Sequence, residues 1–361
     1  MKLIQCLSCA LLILVTPVGH AESATVGDAL SSPATLVGRA QQAVFIDMTQ
    51  AGDRLVAVGE RGLVLLSDDQ GQSWRQANVP VSVSLTSVRF VDASHGWAVG
   101  HAGVILATSD GGESWSLLLD GVRAARLEVE AARLALPHAA DAETAEARLQ
   151  TAERMLAEGA DKPFLSLAFS DVRHGVVVGA YGMALRTDDG GQTWHSIVGQ
   201  IDNPIGLHLY AITRSGQDWF LAGEQGYLAR SVDGGDSFSR LESPYEGSFF
   251  TLIGGGDGAL FAAGLKGHAF VSHDRGEHFE ALPIPVPLSL IAATAMNDGG
   301  VLLANQGGML FRSVSGTALD PFGEPLNMPV SSVVQTADGS LVVAGFAGLT
   351  RLPLHTVSDV E

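Results

Sequence analysis

Short runs of apolar residues, each closed by glycine or by a polar turn, repeat along most of the chain. Three of the aligned stretches read LVAVGERGLVLLSDDQGQSW, GWAVGHAGVILATSDGGESW and GVVVGAYGMALRTDDGGQTW. Seven stretches share the pattern, and they occupy residues 55–74, 96–115, 175–194, 219–238, 260–279, 301–320 and 341–354. Self-similarity at a period of about 20–50 residues is typical of repeat architectures, so the pattern predicts seven copies of one unit.

Each unit contains four apolar runs of strand length. The second run ends at an anchor residue, and the anchors are Gly59, Gly100, Gly179, Gly223, Gly264, Asn305 and Gly345. Neighbouring anchors are 40–44 residues apart, except for one interval of 79 residues that indicates an insertion. Four strands in about 41 residues, with turn glycines at fixed offsets, are typical of a propeller blade. We therefore predict an all-β fold, a seven-bladed β-propeller whose blades bury their faces against one another.

The last unit lacks a clear fourth strand. Two segments are available to complete it and close the ring: SPATLVGR near the N-terminus, at 32–39, and the tail after Leu354. The sequence leaves both alternatives open.

A polar turn of constant composition joins the third and fourth runs of five units. It has the order Ser/Thr-x-Asp-x-Gly followed by Trp or Phe, and it matches the Asp-box, or BNR repeat. The carboxylate is placed to accept hydrogen bonds from its own turn, and the aromatic side chain to fill the gap beside a neighbouring strand. Five equivalent turns around a ring favour a structural role over a catalytic one. The residues concerned are Asp69, Trp74, Asp110, Trp115, Asp189, Trp194, Asp233, Phe238, Asp274 and Phe279.

Residues 117–163 interrupt the repeat between the second and third units. Their composition shifts to Ala, Glu, Arg and Leu, and apolar residues recur every three or four positions within 118–136 and 142–156. Pro137 separates the two stretches, and Gly159 ends the second. This spacing predicts an antiparallel helical hairpin inserted between blades 2 and 3.

By strand order, the hairpin leaves the ring on the same face as the turns between second and third strands. Unlike the Asp-boxes, these turns differ from blade to blade, as expected of a scaffold that carries a contact surface on one face. Unselected variation of exposed turns remains an alternative. The candidate partner-contact residues are Glu60, Arg61, His101, Tyr181, Glu224, Gln225 and Lys266 in the turns, with His208 and Tyr245 in outer-to-inner connections.

The N-terminal segment 1–21 has the features of a signal peptide: Lys2, an apolar run, and small residues before a cleavage site after Ala21. Both cysteines lie inside it, so a mature chain of 22–361 contains none. A formal charge of −18 argues against nucleic acid and against electrostatic docking to anionic lipid headgroups. We expect a single propeller, monomeric when free, in the periplasm or secreted, without insertion into the membrane.

Asp-boxes also occur in sialidases and other glycosidases, so an enzyme is the competing hypothesis. The candidate catalytic acid pair is Glu60 and Glu224, on opposite sides of a central channel. The sequence does not determine the distance between them. A carbohydrate-binding or glycoside-hydrolysing propeller therefore stays as the alternative. His268, His273 and His278, spaced by five, do not converge on one ion, so we expect no metal, no cofactor and no catalytic residue.

The motifs VGERG, VGHAG, VGAYG, AGEQG and AGLKG, each followed by the turns described above, carry a family resemblance. From about Ala43 to Leu354 the chain resembles the photosystem II stability and assembly factor family, which consists of exported seven-bladed propellers. The resemblance implies a non-catalytic factor that binds an integral membrane protein during assembly. The chain is most similar to the non-photosynthetic bacterial branch of this family. The resemblance to that branch implies association with resistance-nodulation-division (RND) exporters.

Overall fold

The computed structural model describes residues 28–256, 258–314 and 316–353, so the predicted signal peptide and the tail from Leu354 onward lie outside the described residues. Within these ranges the chain forms seven antiparallel sheets, six with four strands and one with three. Each sheet uses strands that are consecutive in sequence, with the order first, second, third and fourth strand. The protein is a seven-bladed β-propeller, as predicted.

The first four blades are built as follows. Blade 1 contains β1 (Phe45–Ala51), β2 (Arg54–Gly59), β3 (Val64–Ser67) and β4 (Arg75–Gln76). Blade 2 contains β5 (Leu85–Phe90), β6 (Gly96–Gly100), β7 (Ile105–Thr108) and β8 (Ser116–Leu119). Blade 3 contains β9 (Phe164–Phe169), β10 (Gly175–Gly179), β11 (Ala184–Thr187) and β12 (His195–Ser196). Blade 4 contains β13 (Leu209–Ser215), β14 (Asp218–Gly223), β15 (Leu228–Ser231) and β16 (Ser239–Arg240).

The remaining blades continue the same order. Blade 5 contains β17 (Phe249–Gly254), β18 (Leu260–Gly264), β19 (Ala269–Ser272) and β20 (Glu280–Leu282). Blade 6 contains β21 (Leu290–Ala295), β22 (Val301–Asn305), β23 (Leu310–Ser313) and β24 (Asp320–Pro321). Blade 7 contains β25 (Val330–Gln335), β26 (Leu341–Gly345) and β27 (Gly348–Leu352).

Neighbouring first strands contact one another around the ring, and β25 contacts β1 to close it. The second strand of each blade is covered on both faces by the adjacent blades, and β6, β10, β18, β22 and β26 are buried at every position. This two-sided burial explains why the second strands are continuous apolar runs instead of alternating ones. The core is therefore a ring of apolar layers between blades.

The anchor positions must be small because the second strand ends against the main chain of the first. A Cβ atom added to Gly59 would lie 2.1 Å from the carbonyl oxygen of Val44, and one added to Gly179 would lie 2.3 Å from that of Pro163. Blade 6 departs from the rule with Asn305, whose side-chain oxygen accepts hydrogen bonds from Gly307 N and Met309 N, both at 2.9 Å.

One of the two alternatives for ring closure is wrong. The segment 32–39 forms no strand and lies along blade 1: Ala34 N donates to the Val79 carbonyl at 3.0 Å, and Val37 N donates to Gln76 Oε1 at 3.1 Å. It therefore does not complete blade 7, which has three strands among the described residues. The ring is closed by packing between β25 and β1 instead.

The insertion forms two antiparallel helices, α1 (Gly121–Ala135) and α2 (Ala142–Glu158). Asp120 caps α1 by accepting a hydrogen bond from Arg123 N at 3.0 Å, and Asp141 caps α2. The predicted start of the first helix is wrong, because Leu118 belongs to β8 and α1 begins three residues later. No helix among the described residues is long and apolar enough to cross a membrane.

Short 3-10 turns complete the described secondary structure. They lie at Ala40–Gln42, Glu60–Gly62, His101–Gly103, Leu136–His138, Ala180–Gly182, Val198–Gln200, Glu224–Gly226 and Leu265–Gly267. Five of them are the turns between the second and third strands of blades 1 to 5.

Candidate functional site

The Asp-box turns occupy one face of the ring, and each one is closed by its own carboxylate. In blade 3, Asp189 Oδ1 accepts hydrogen bonds from Thr187 Oγ1 and Thr193 N, both at 2.9 Å, and Oδ2 accepts one from Thr193 Oγ1 at 2.6 Å. Thr187 Oγ1 also accepts a hydrogen bond from Gly191 N at 2.8 Å. Asp69, Asp110 and Asp233 make the same contacts with their own turns.

These hydrogen bonds keep the Asp-box carboxylates ionised. Partial burial acts to raise the pKa of Asp189, but the donors Thr193 and Thr187 outweigh it and lower that pKa to about 2. The Ser73 hydroxyl and amide lower the pKa of Asp69 to about 2 in the same way. In blade 5 an imidazole replaces the second hydroxyl: His278 donates to Asp274 Oδ2 at 2.7 Å, which raises the pKa of His278. The carboxylates hold their turns, which is a structural role.

The same face also joins adjacent blades. The Asp-box glycine has a positive φ and packs on the preceding blade: a Cβ on Gly71 would meet Val342, and one on Gly112 would meet Leu66. Ion pairs also connect adjacent blades. Arg230 Nη2 lies 2.7 Å from Glu277 Oε1, and Arg275 Nη2 lies 2.6 Å from Asp218 Oδ2. A third pair joins Arg186 and Asp236. The aromatic residue of each box lies in the core, with Trp115, Trp194 and Phe238 buried and Trp74 and Phe279 half-buried.

The opposite face, which we call the variable face, carries the turns between second and third strands together with the outer-to-inner connections. In blades 1 to 5 these turns share one backbone geometry, with two successive residues at positive φ. The second of the two is always glycine, but the first is not. The first residues are Arg61, Ala102, Tyr181, Gln225 and Lys266, with φ between 51 and 57 degrees. Glycine would be easier to accommodate there, so the chain holds varied side chains at a strained position.

The structure brings three of the predicted contact residues together beside the hairpin. The rings of Tyr181 and His208 meet edge to face at 4.9 Å, and Glu224 Oε2 lies 3.7 Å from His208 Nδ1, too far for a hydrogen bond. Lys162 lies over the Tyr181 ring, 5.4 Å from its centre. Tyr210 lies near His208 and lines the central channel, so it extends the cluster in that direction. Burial and the nearby Glu224 carboxylate raise the pKa of Tyr210.

The other predicted contact residues lie on the variable face but in separate places. Arg61, His101 and Lys266 are exposed in the turns of blades 1, 2 and 5, and Gln225 is exposed beside Glu224. Tyr245 is half-buried and stacks on His268, with ring centres 4.2 Å apart. The histidines predicted not to converge have different neighbours, since His278 contacts Asp274 and His273 lies near Gly316.

Glu60 and Glu224, the acid pair of the glycosidase alternative, occupy equivalent positions in blades 1 and 4. Glu60 Oε1 accepts a hydrogen bond from Val44 N at 3.3 Å, and Glu224 Oε2 accepts one from His208 N at 2.9 Å. Each carboxylate therefore holds the start of the first strand of its own blade. This role is local, and it gives no support to a shared catalytic function.

The hairpin is clamped against blade 3 by charged residues that the sequence did not single out. Glu128 is buried, and its carboxylate accepts hydrogen bonds from Arg148 Nε at 2.7 Å and Nη2 at 3.0 Å. It also accepts one from Ser196 Oγ in β12. Since α1 packs on β12 and α2 packs on α1, the hairpin is a fixed part of the variable face.

The central channel holds a second polar group that the sequence did not reveal. A cavity of about 290 Å³ is lined by the first strands of all seven blades. Asp47 lies on its wall and accepts hydrogen bonds from Arg89 Nη1 at 2.6 Å, Ser87 Oγ at 2.8 Å and Ser332 Oγ at 3.2 Å. The Asp47 carboxylate therefore joins blades 7, 1 and 2. In the sequence, the signal that could have revealed this group is the single acidic residue in the apolar run FIDMTQA.

Comparison with known families gives one match over more than half of the chain. The model of the family described as photosynthesis system II assembly factor YCF48 matches residues 66–131 and 146–282. The photosystem II assembly lipoprotein Ycf48 of Synechococcus sp. (strain CC9902) is 34% identical over 94 residues, which are 25% of this chain and 28% of that protein. The chain thus aligns with less than a third of that curated relative.

Solved structures agree on the fold over nearly the whole chain. The structure titled "YCF48 bound to D1 peptide" has a TM-score of 0.62 at 18% identity, covering 88% of this chain and 94% of the other. YCF48 from Cyanidioschyzon merolae has a TM-score of 0.60 at 15% identity, covering 89% and 98%. The WD40 propeller domain of Doa1 has a TM-score of 0.59 at 12% identity, covering 91% and 97%. At these identities the likeness concerns the fold alone.

Proposed function

The chain belongs to the photosynthesis system II assembly factor YCF48 family, and from that premise we propose that it is a non-catalytic assembly or accessory platform for an integral membrane protein. A relative of this family has been solved bound to a D1 peptide, so a polypeptide partner is in keeping with the family. We place the protein in the periplasm, or outside the cell, on the basis of the predicted signal peptide at 1–21.

The contrast between the two faces carries this proposal. On the Asp-box face the polar side chains are engaged with their own turns and with adjacent blades. On the variable face Tyr181, Ile205 and Phe346 are 48%, 72% and 69% exposed, and two of the three are aromatic, whereas the exposed apolar residues Val232 and Val314 of the Asp-box face are smaller. Exposed aromatic and large aliphatic side chains are typical anchors of protein interfaces. We propose that these side chains, with the clamped hairpin, form the contact surface.

For the partner we propose an RND-type exporter, which the motif resemblance implies for the non-photosynthetic branch. The test is affinity capture from detergent-solubilised membranes of the source organism, followed by identification of the retained proteins. The bait is the mature chain or a triple variant, Tyr181→Asp, Ile205→Asp and Phe346→Asp. We expect the wild-type bait to retain an exporter and the variant to lose at least about tenfold of it, or more than about 1.4 kcal/mol of binding free energy.

A matched control comes from the opposite face. Val232 and Val314 lie in the turns between third and fourth strands and are 66% and 67% exposed. The double variant Val232→Asp and Val314→Asp adds the same kind of charge to the Asp-box face and should retain the partner fully. Equal losses in both variants would contradict the assignment of the surface. Retention of a membrane protein of another class would contradict the exporter as the partner but would still support a platform function.

A further inference from the structure

In six blades, a fourth strand pairs with the outer edge of the third strand. At the end of each fourth strand, or just after it, an apolar residue pairs with the start of the third strand. Ala77 N donates to the Val64 carbonyl at 2.9 Å, and Leu241 N donates to the Leu228 carbonyl at 2.9 Å. The six apolar residues in this position are Ala77, Leu119, Ile197, Leu241, Leu282 and Phe322.

Blade 7 lacks this strand among the described residues. Leu349 pairs with Ala344 as Val64 pairs with Val58, so Leu349 holds the place of Val64 in this blade. Outside the pair of β26 and β27, no described residue donates a hydrogen bond to the Leu349 carbonyl. Among residues 28–353, as far as they are described, the outer edge of β27 is therefore unpaired, and an unpaired sheet edge is a template for pairing with another extended chain.

The Asp-box aromatic residue of blade 1 borders the same edge. Each Asp-box aromatic residue packs with the fourth-strand region of the preceding blade: Trp115 clusters with Ala77, and Trp194 with Leu119. Trp74 faces blade 7, clusters with Leu349, and is half-buried, as Phe279 is beside the complete blade 4. Beside it opens a cavity of about 380 Å³, lined by Leu65, Trp74, Gln76 and residues 37–42.

We propose that this edge binds an extended segment of a partner polypeptide by strand addition, antiparallel to β27, with an aliphatic side chain seated over Trp74. The six complete blades define the chemistry of the occupant, because each fills this place with a short strand and an apolar residue. Main-chain hydrogen bonds supply affinity in such complexes, and the side-chain pocket supplies specificity. Arg39 lines the cavity, is exposed, and makes no ion pair with a described residue, so it favours an acidic residue beside the aliphatic one.

Two other occupants are less well supported. The N-terminal segment of the same chain is bound to blade 1, through Ala34 and Val37. A second copy would need an exposed strand of its own to donate. The inference deepens the proposed function, on which it rests for the existence of a polypeptide partner. Its test uses no membrane, so the two proposals can fail separately.

The probe is the synthetic peptide FSRLES, residues 238–243, which in blade 4 supplies the fourth strand, the apolar residue Leu241 and the acid Glu242. The matched control is the same peptide with Leu241→Asp. Added to the intact mature chain, the first peptide should slow hydrogen exchange of edge-facing β27 amides about tenfold at 90% occupancy. It should also shift Trp emission to the blue. The tryptophans other than Trp74 are buried, so Trp74→Phe should abolish this shift.

Further arms exclude the rival occupants. Arg39→Glu should weaken binding of FSRLES, and the Leu241→Asp peptide should give no protection. The β27 amides of the chain without peptide are measured as well. If they exchange slowly, and Val37→Asp or truncation after Pro353 makes them exchange faster, the chain fills its own edge and the proposal is wrong. Protection that grows with protein concentration alone would overturn it in favour of a second copy. To exclude weak affinity as the cause of a negative result, FSRLES is also tethered through a flexible linker; no protection in that form would overturn the proposal too.

Discussion

The two faces of the ring are built from the same repeat, yet they use their side chains differently. On the Asp-box face, Asp69, Asp110, Asp189 and Asp233 repeat one set of hydrogen bonds to their own turns. On the variable face the backbone of the turns in blades 1 to 5 repeats instead, and the residue at the strained position differs in each of these five blades. Repeated side chains thus mark interactions within the fold, whereas a repeated backbone with changing side chains marks a surface on which selection can act.

The prediction with the largest expected effect concerns the turns of the variable face. It tests whether their backbone conformation is as important for stability as the carboxylates of the Asp-box face. A Cβ atom on Gly226 would lie 1.9 Å from the Tyr245 carbonyl oxygen, at a φ of +71 degrees. We expect Gly226→Ala to lower the free energy of unfolding by more than about 4 kcal/mol, measured by urea denaturation.

The control is the neighbouring residue. Gln225 has a φ of 51 degrees and is exposed, so Gln225→Gly should relieve strain and raise stability by about 0.5–1 kcal/mol. A loss on Gln225→Gly would mean that this side chain stabilises the fold, and the contrast between the faces would be weaker than proposed.

The second effect concerns the hairpin. Arg148→Met removes the cation that neutralises Glu128 and leaves a buried carboxylate with only Ser196 as a hydroxyl donor. We expect a loss of about 3 kcal/mol, with earlier protease cleavage within 121–158 than in the blades. The double variant Glu128→Leu and Arg148→Met should recover most of it. Failure of the double variant to recover would show that the ion pair is not the cause.

The third effect concerns a single Asp-box. Asp189→Ala removes the acceptor for Thr187 Oγ1, Thr193 N and Thr193 Oγ1. Because the turn is partly exposed and water replaces some of these contacts, we expect a loss of about 1–2 kcal/mol by urea denaturation. Partner capture should not change. A loss of capture without a loss of stability would move the contact surface to this face.

The smallest effect is the dependence of stability on pH. Asp69, Asp189 and Asp233 have pKa values of about 2, below the ordinary value of 3.8. Their contribution is complete above the ordinary pKa and is lost as the pH falls from about 4 toward 2, because protonation then favours the unfolded chain. The urea midpoint should fall across this window, and less steeply in a variant with all three replaced by Asn. Equal slopes would show that other groups dominate.

The parts of the fold that repeat locally can be predicted from the amino-acid sequence. The glycine and aspartate of each turn lie within a few residues of the groups they contact, so the blades, their number and the Asp-boxes could be predicted from spacing alone. The periodicity of the insertion predicts its two helices for the same reason, although it does not show that Leu118 belongs to β8. Local hydrogen bonding and strand geometry depend on neighbours in sequence, which a pattern records.

Contacts across the ring, in contrast, become visible only in the folded structure. Asp47 joins Ser332, 285 positions away, and Glu128 joins Ser196, 68 positions away. Neither pair has a sequence spacing that could reveal it. The same holds for the approach of His208 to Tyr181 and for the path of Ala34 along blade 1, which leaves the outer edge of β27 unpaired by any described residue. Such contacts arise when blades close into a ring, because closure fixes which side chains face one another, and no single repeat contains that information.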